Sequence, residues 1–150
     1  MDFNEPRRMA LRGLHHLTAI CRDLQRTTAF YRDVLGLTLV SDAVNDDDPD
    51  ARHFWFGFGG SARTTLVSFL EYPDMAPGQV GVGATHHFAF LVESAAELDA
   101  WWQHLRESGV QCSDIFERDG FRSLYLRDPD GHIVEIATRG WEFSGGPSRD

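Results

Sequence analysis

The chain has 150 residues, of which 42% are hydrophobic and 12% aromatic, and a formal net charge of −9. That length suits one domain with a real core, and the composition is that of a folded globular protein rather than a disordered one. The acidic balance, with no basic cluster, speaks against nucleic acid or an anionic membrane as the main partner, and no apolar run is long enough to span a bilayer.

The opening MDFNEPRRMALRGL lacks the apolar core of a secretory signal, so the chain reads as cytoplasmic, with MDFNEPRRMA a loose arm. His15 and His16 then head a strand-like run, LTAIC. RDLQRTTAFYRDVLG reads as a helix with Asp23 as N-cap and Gly36 as its stop. Strand-like LTLVSDAV, HFWFGF and TTLVSFLEY follow, with the acidic NDDDPD expected to be a solvated loop and GGSAR a turn. PDMAPGQVGVGA, residues 73–84, is a Pro/Gly linker. His86 and His87 head a second strand, FAFLV, and SAAELDAWWQHLRESG reads as a helix with a Ser94/Glu97 capping box and Gly109 as its stop. Leu98, Trp101, Trp102 and Leu105 share one face of that helix. VQCSDIF, FRSLYLR and HIVEIAT complete the pattern, with DPDGH a turn and SGGPSRD a frayed tail. Cys21 and Cys112 belong to no CxxC pair, which leaves no disulfide framework or zinc finger.

The second half repeats the first. Laying His16 on His87 puts Phe30 on Trp101 and Tyr31 on Trp102 without a gap. Each half is β-α-β-β-β, the first over about 13–72 and the second over about 85–140. The expected fold is α+β: a single domain, residues 1–150, in which two βαβββ modules pair into a half-open eight-stranded barrel with the helices outside. The doublets would then face each other across the groove.

Neighbouring strand residues point to opposite faces, so one histidine of each doublet faces the groove directly. His16 and His87 are chosen, because they begin the alternations Thr18, Ile20 and Ala89, Leu91. Glu135 sits between Val134 and Ile136 in an otherwise apolar strand, where a carboxylate is costly unless paired or bound to a cation. Two imidazoles and one carboxylate favour a non-haem Fe(II) centre, with Mn(II) an alternative and Zn(II) a poorer match. In the first module Ser68 holds the position of Glu135, so a second glutamate is missing there unless Glu71 reaches in from a shifted register.

Through HHLTAI…FYRDVLGLTLV and DPDGHIVEI, residues 13–140 resemble the vicinal oxygen chelate superfamily of glyoxalases, fosfomycin and bleomycin resistance proteins and extradiol dioxygenases. The doubled histidines and FRSLYLRDPDG resemble its hydroquinone ring-cleaving dioxygenases most. That resemblance implies iron on His16, His87 and Glu135, with His15 and His86 behind the ligands. It also implies an active-site Tyr125 and a substrate-facing Arg118. Those dioxygenases have about twice this length and four modules. The resemblance implies cleavage of a hydroquinone- or catechol-like ring with O₂, by a homodimer. The alternatives are a glyoxalase-like isomerase or thiol transferase, and a metal-free small-molecule binding or resistance protein.

Overall fold

A computed structural model describes residues 11, 13–59, 65–118 and 120–140. The expected N-terminal arm, the C-terminal tail and most of the GGSAR turn lie outside the described residues. Strand β1 (His16–Cys21) is followed by helix α1 (Leu24–Thr28), which widens into a π-helical turn over Ala29–Val34. Asp23 caps α1 by accepting a hydrogen bond from the Arg26 amide at 3.0 Å. The wide turn is closed by the Leu35 amide donating to the Phe30 carbonyl at 3.0 Å, and the adjacent Phe30 and Tyr31 are both buried. A regular helix was expected there as far as Gly36.

Strands β2 (Thr38–Asn45), β3 (Asp48–Gly57) and β4 (Leu66–Glu71) complete a four-stranded sheet in the order β1-β4-β3-β2, with β1 parallel to β4. The second half repeats it with β5 (Phe88–Val92), α2 (Ala95–Glu107), β6 (Phe116–Arg118), β7 (Phe121–Arg127) and β8 (Ile133–Thr138), in the order β5-β8-β7-β6. The fold is α+β, and its two sheets do not close into a barrel. Ser94 caps α2 by accepting from the Glu97 amide at 3.1 Å. The Glu97 carboxylate reaches back one residue further than a capping box requires, to the Glu93 amide at 2.7 Å.

Two expectations need correction. The acidic run is not a loop: Asp48 already belongs to β3, and the Tyr72 hydroxyl donates to its carboxylate at 3.1 Å. A tight turn at Asp46 and Asp47 joins β2 to β3 and leaves no length for a loop. Of VQCSDIF only Phe116 is in a strand. Ser113 exchanges hydrogen bonds with the Tyr125 backbone at 2.8 and 2.9 Å, one of them through its hydroxyl, and this local pairing replaces a continuous ladder.

One hydrophobic cluster joins the halves, running from Tyr31, Phe56 and Phe69 to Leu98, Leu105, Leu124 and Val134. At the seam, α1 and its π turn hold the turn before β8. The buried Tyr31 hydroxyl donates to Asp128 at 3.0 Å, and Arg26 pairs with Asp130 at 2.9 Å. The Asp128 carboxylate also accepts from the Asp130 and His132 amides, each at 2.9 Å. The opposite faces of the sheets stay open. Along β1, His16, Thr18 and Ile20 are exposed while Cys21 is buried. Ile20, Leu91 and Phe116 are 42%, 47% and 41% exposed, which is high for apolar side chains on a sheet.

Candidate functional site

Glu135 is the most unusual residue of the open faces. It is 4% exposed, although Val134 and Ile136 point the other way, into the core. Its burial comes from its neighbours on the open face. Tyr125 lies directly across from it in the β7–β8 register, and the Tyr125 ring meets the His87 ring edge-on at 5.8 Å. Glu135 Oε2 is 3.0 Å from His87 Nε2, while Oε1 is buried with no hydrogen-bond partner among the described residues. Burial, reinforced by the Glu135 carboxylate, holds the Tyr125 phenol above its ordinary pKa, so it stays a hydrogen-bond donor at neutral pH. The Arg118 guanidinium lies over the rings of Phe116 and Tyr125, at 5.2 and 6.0 Å.

These residues fit a cation. A buried carboxylate oxygen without a partner costs on the order of 1–3 kcal/mol or more, and a metal ion removes that cost. The His87–Glu135 distance also fits. Two donor atoms each about 2.1 Å from one metal, at a right angle, lie about 3.0 Å apart. The other ring nitrogen of His87 is occupied, since Nδ1 is 2.8 Å from Nδ1 of His86. One of those nitrogens carries the shared proton, which orients the His87 ring with Nε2 toward the carboxylate.

The first module builds the same frame with different contents. Nδ1 of His15 is 2.8 Å from Nδ1 of His16, as in the other doublet. The two rings of each doublet meet because His15, His86 and His87 precede the regular strands and escape the strict pleat. Beyond His16 the carboxylate is missing. Ser68, fully buried, shares a 2.7 Å hydrogen bond with Thr18. Trp55 lies across from Ser68, as Tyr125 lies across from Glu135, and its ring is 4.9 Å from His16. The His53 ring packs on Trp55 at 4.6 Å, and its Nε2 is buried without a partner among the described residues. Burial and the proximity of His16 lower the His53 pKa. Strand alternation leaves His53 and Trp55 of HFWFGF on the open face, because Phe54 and Phe56 are buried in the core.

The structure thus brings together His86, His87, Tyr125, Arg118 and Glu135, and it keeps His15 and His16 with the first sheet. Among the described residues no three His, Cys, Asp or Glu side chains converge as a metal would require. A cavity of about 570 Å³ lies at the seam, walled by Thr18, Ile20, Arg22, His86, His87 and the linker. Sequence reasoning did not single out His53, although its place two residues before Trp55 in a strand was the available signal.

Residues 13–136 match the sequence profile of the Glyoxalase/Bleomycin resistance protein/Dioxygenase superfamily. The chain is 39% identical over 134 residues to MhqE of Bacillus subtilis, provisionally named a ring-cleaving dioxygenase, covering 88% of this chain and 44% of that one. A crystal structure of a provisionally named B. subtilis dioxygenase is 34% identical and superposes with a TM-score of 0.77, over 85% of this chain and 41% of the other. The chain therefore spans less than half of these relatives. It is also 27% identical to the metallothiol transferase FosB of Staphylococcus saprophyticus, over 85% of this chain and 78% of that protein.

Proposed function

The chain belongs to the Glyoxalase/Bleomycin resistance protein/Dioxygenase superfamily, and from that premise we propose that it is a metal-dependent ring-cleaving dioxygenase for a hydroquinone- or catechol-like aromatic. The observation that carries this reading is Glu135, a buried carboxylate with one oxygen against His87 and the other without a partner among the described residues. His16, His87 and Glu135 would hold the metal, with Fe(II) favoured over Mn(II) and Zn(II) by the two-imidazole, one-carboxylate set. Within one chain His16 does not join the other two, so a second copy of the chain supplies it. The apolar side chains on the open faces favour such a homodimer.

Bound Fe(II) would supply the activation of O₂ and of a phenolate oxygen toward each other. The remaining work belongs to the side chains. His86 or His15, tied to a ligand histidine through Nδ1, takes and returns a proton at the substrate oxygen. The Tyr125 hydroxyl donates to an oxygen atom of the reacting group, and Arg118 adds positive charge beside it.

FosB supports a second reading, a metal-dependent thiol transferase on the same ligands. A glyoxalase-type isomerase is less favoured, because Ser68 stands where that chemistry uses a second carboxylate. A metal-free binding protein would have no need of a buried Glu135 against His87. The test is elemental analysis of protein purified without oxygen, followed by oxygen uptake with catechols and hydroquinones. Stoichiometric iron or manganese with substrate-dependent uptake is expected. Metal without uptake would favour the transferase, and absence of metal would overturn the proposal.

A further inference from the structure

We infer that His53 and Trp55 of the first module form a recognition surface for an aromatic ring, with the His53 imidazole donating a hydrogen bond to a polar group at the end of that ring away from the metal ligands. The inference rests on the aromatic-substrate reading above and adds to it a residue that fixes which ring is accepted.

Three observations carry it. Strand alternation puts residues 53 and 55 on the open face, between the buried Phe54 and Phe56. The rings of His16, Trp55 and His53 form a row, with centroid steps of 4.9 and 4.6 Å. The β3–β4 register sets the direction of that row, since Trp55 is level with Ser68 and His53 is level with Leu70, one step further from the His16 end. A flat ring with one oxygen near His16 would lie along Trp55 and present its opposite end to His53.

The third observation concerns the His53 nitrogens. No hydrogen bond within the described residues engages this imidazole, and its Nε2 is buried without a partner. A neutral imidazole has one N–H, and a buried N–H left unpaired is the rarer orphan in folded proteins. The tautomer that leaves no buried N–H unpaired has its proton on Nδ1, the ring nitrogen that is not buried. His53 offers the open face a donor that nothing in the described chain receives. The corresponding position of the second module is Ser123, fully buried, so the feature belongs to one module and is not a requirement of the fold.

The test measures binding by calorimetry, without oxygen, on the metal-loaded protein, using hydroquinone and phenol as probes. These rings differ only in the far hydroxyl. The wild-type chain should bind hydroquinone about 3- to 10-fold more tightly than phenol, the usual worth of one neutral hydrogen bond. His53→Phe keeps a flat ring on Trp55 and removes the donor. It should reduce that preference to no more than the twofold that hydroquinone's two equivalent hydroxyls give statistically, with metal content unchanged. His53→Gln, which retains an N–H, should keep part of the preference, and it serves where His53→Phe does not fold. Equal binding of both probes by the wild-type chain, or a preference that persists undiminished in His53→Phe, overturns the assignment of His53 and leaves the aromatic reading intact. Failure of the metal-loaded protein to bind either probe overturns both.

Discussion

The two modules share one strand order and one pair of histidine rings at the head of β1 and β5, and differ in what fills the face behind them. The second module sets a buried carboxylate, a phenol and a guanidinium around His87. The first sets a hydroxyl pair, an indole and a second imidazole around His16. The repeat fixes where side chains stand, and substitution within it divides the work. On the proposed function, one half would hold a cation and orient a proton donor, and the other would hold a ring. Two open faces of this kind are complementary to each other and not to themselves. A twofold pair of chains would set each face against the other kind, giving two equivalent sites.

Making the second module like the first should have the largest effect. Glu135→Ser should abolish stoichiometric metal binding, as should His16→Ala, each leaving a folded protein by circular dichroism. Mixing these two variants after subunit exchange sharpens the comparison. With sites shared across a twofold axis, half of the dimers are mixed, and each of those has one intact site. The mixture should then regain about a quarter of the wild-type metal and oxygen uptake. With all three ligands in one chain the mixture would regain none, and the shared-site assignment would be wrong.

Making the first module like the second tests the frame from the other side. Ser68 is fully buried and hydrogen-bonded to Thr18. Ser68→Glu places a carboxylate there and should cost about 3 kcal/mol or more in the metal-free protein, the scale for a buried group left unpaired. Added Mn(II) should recover most of that loss in thermal melts, and the extra ligand should suppress oxygen uptake. A variant as stable as the wild-type chain without metal would show that positions 68 and 135 are not equivalent environments.

A smaller effect distinguishes the two doublets. His15→Ala and His86→Ala should both retain metal, because neither residue is a ligand in the proposed site. The one that moves the substrate proton should lose turnover by about 10²-fold, on whichever aromatic supports oxygen uptake. His86 is the stronger choice, since it lines an open depression together with Tyr125. Full turnover in both variants would make the doubled histidines purely orienting groups.

Much of this was legible in the sequence, and the rest had physical reasons to be hidden. Asp23, Ser94 and the glycines at 36 and 109 announced the helix ends, because caps and positive-φ stops act within a few residues. The apolar neighbours of Glu135 signalled a carboxylate that needs a partner. Strand alternation gave the face of His16 and said nothing about which sheet lies opposite it. The π turn left no residue pattern, since it arises from packing both Phe30 and Tyr31 into one core. The seam between Tyr31 and Asp128 joins residues distant in the chain, and nothing local to either marks it.

That seam gives the smallest expected effect and asks whether the modules are held together as firmly as each is built. Tyr31 is fully buried and its hydroxyl donates to Asp128 at 3.0 Å. Asp128 retains the amides of Asp130 and His132 without it, so the local turn should survive Tyr31→Phe. The loss is one buried hydrogen bond to a carboxylate, about 2 kcal/mol, readable as a melting temperature lower by roughly 4–8 °C. The same residue makes an alkaline prediction. Burial, and then Asp128, hold the Tyr31 phenol well above its ordinary pKa. Its contribution is complete below the unfolded value of about 10 and is lost as pH rises toward the folded one. Over that window the unfolded chain gives up the proton and the folded chain keeps it, so wild-type stability should fall by up to about 1.4 kcal/mol per pH unit. In Tyr31→Phe that component is absent, and the two stability curves should converge above pH about 10. Parallel curves would mean that Tyr31 ionises as readily in the folded chain as in the unfolded one, and that this hydrogen bond does not fasten the seam.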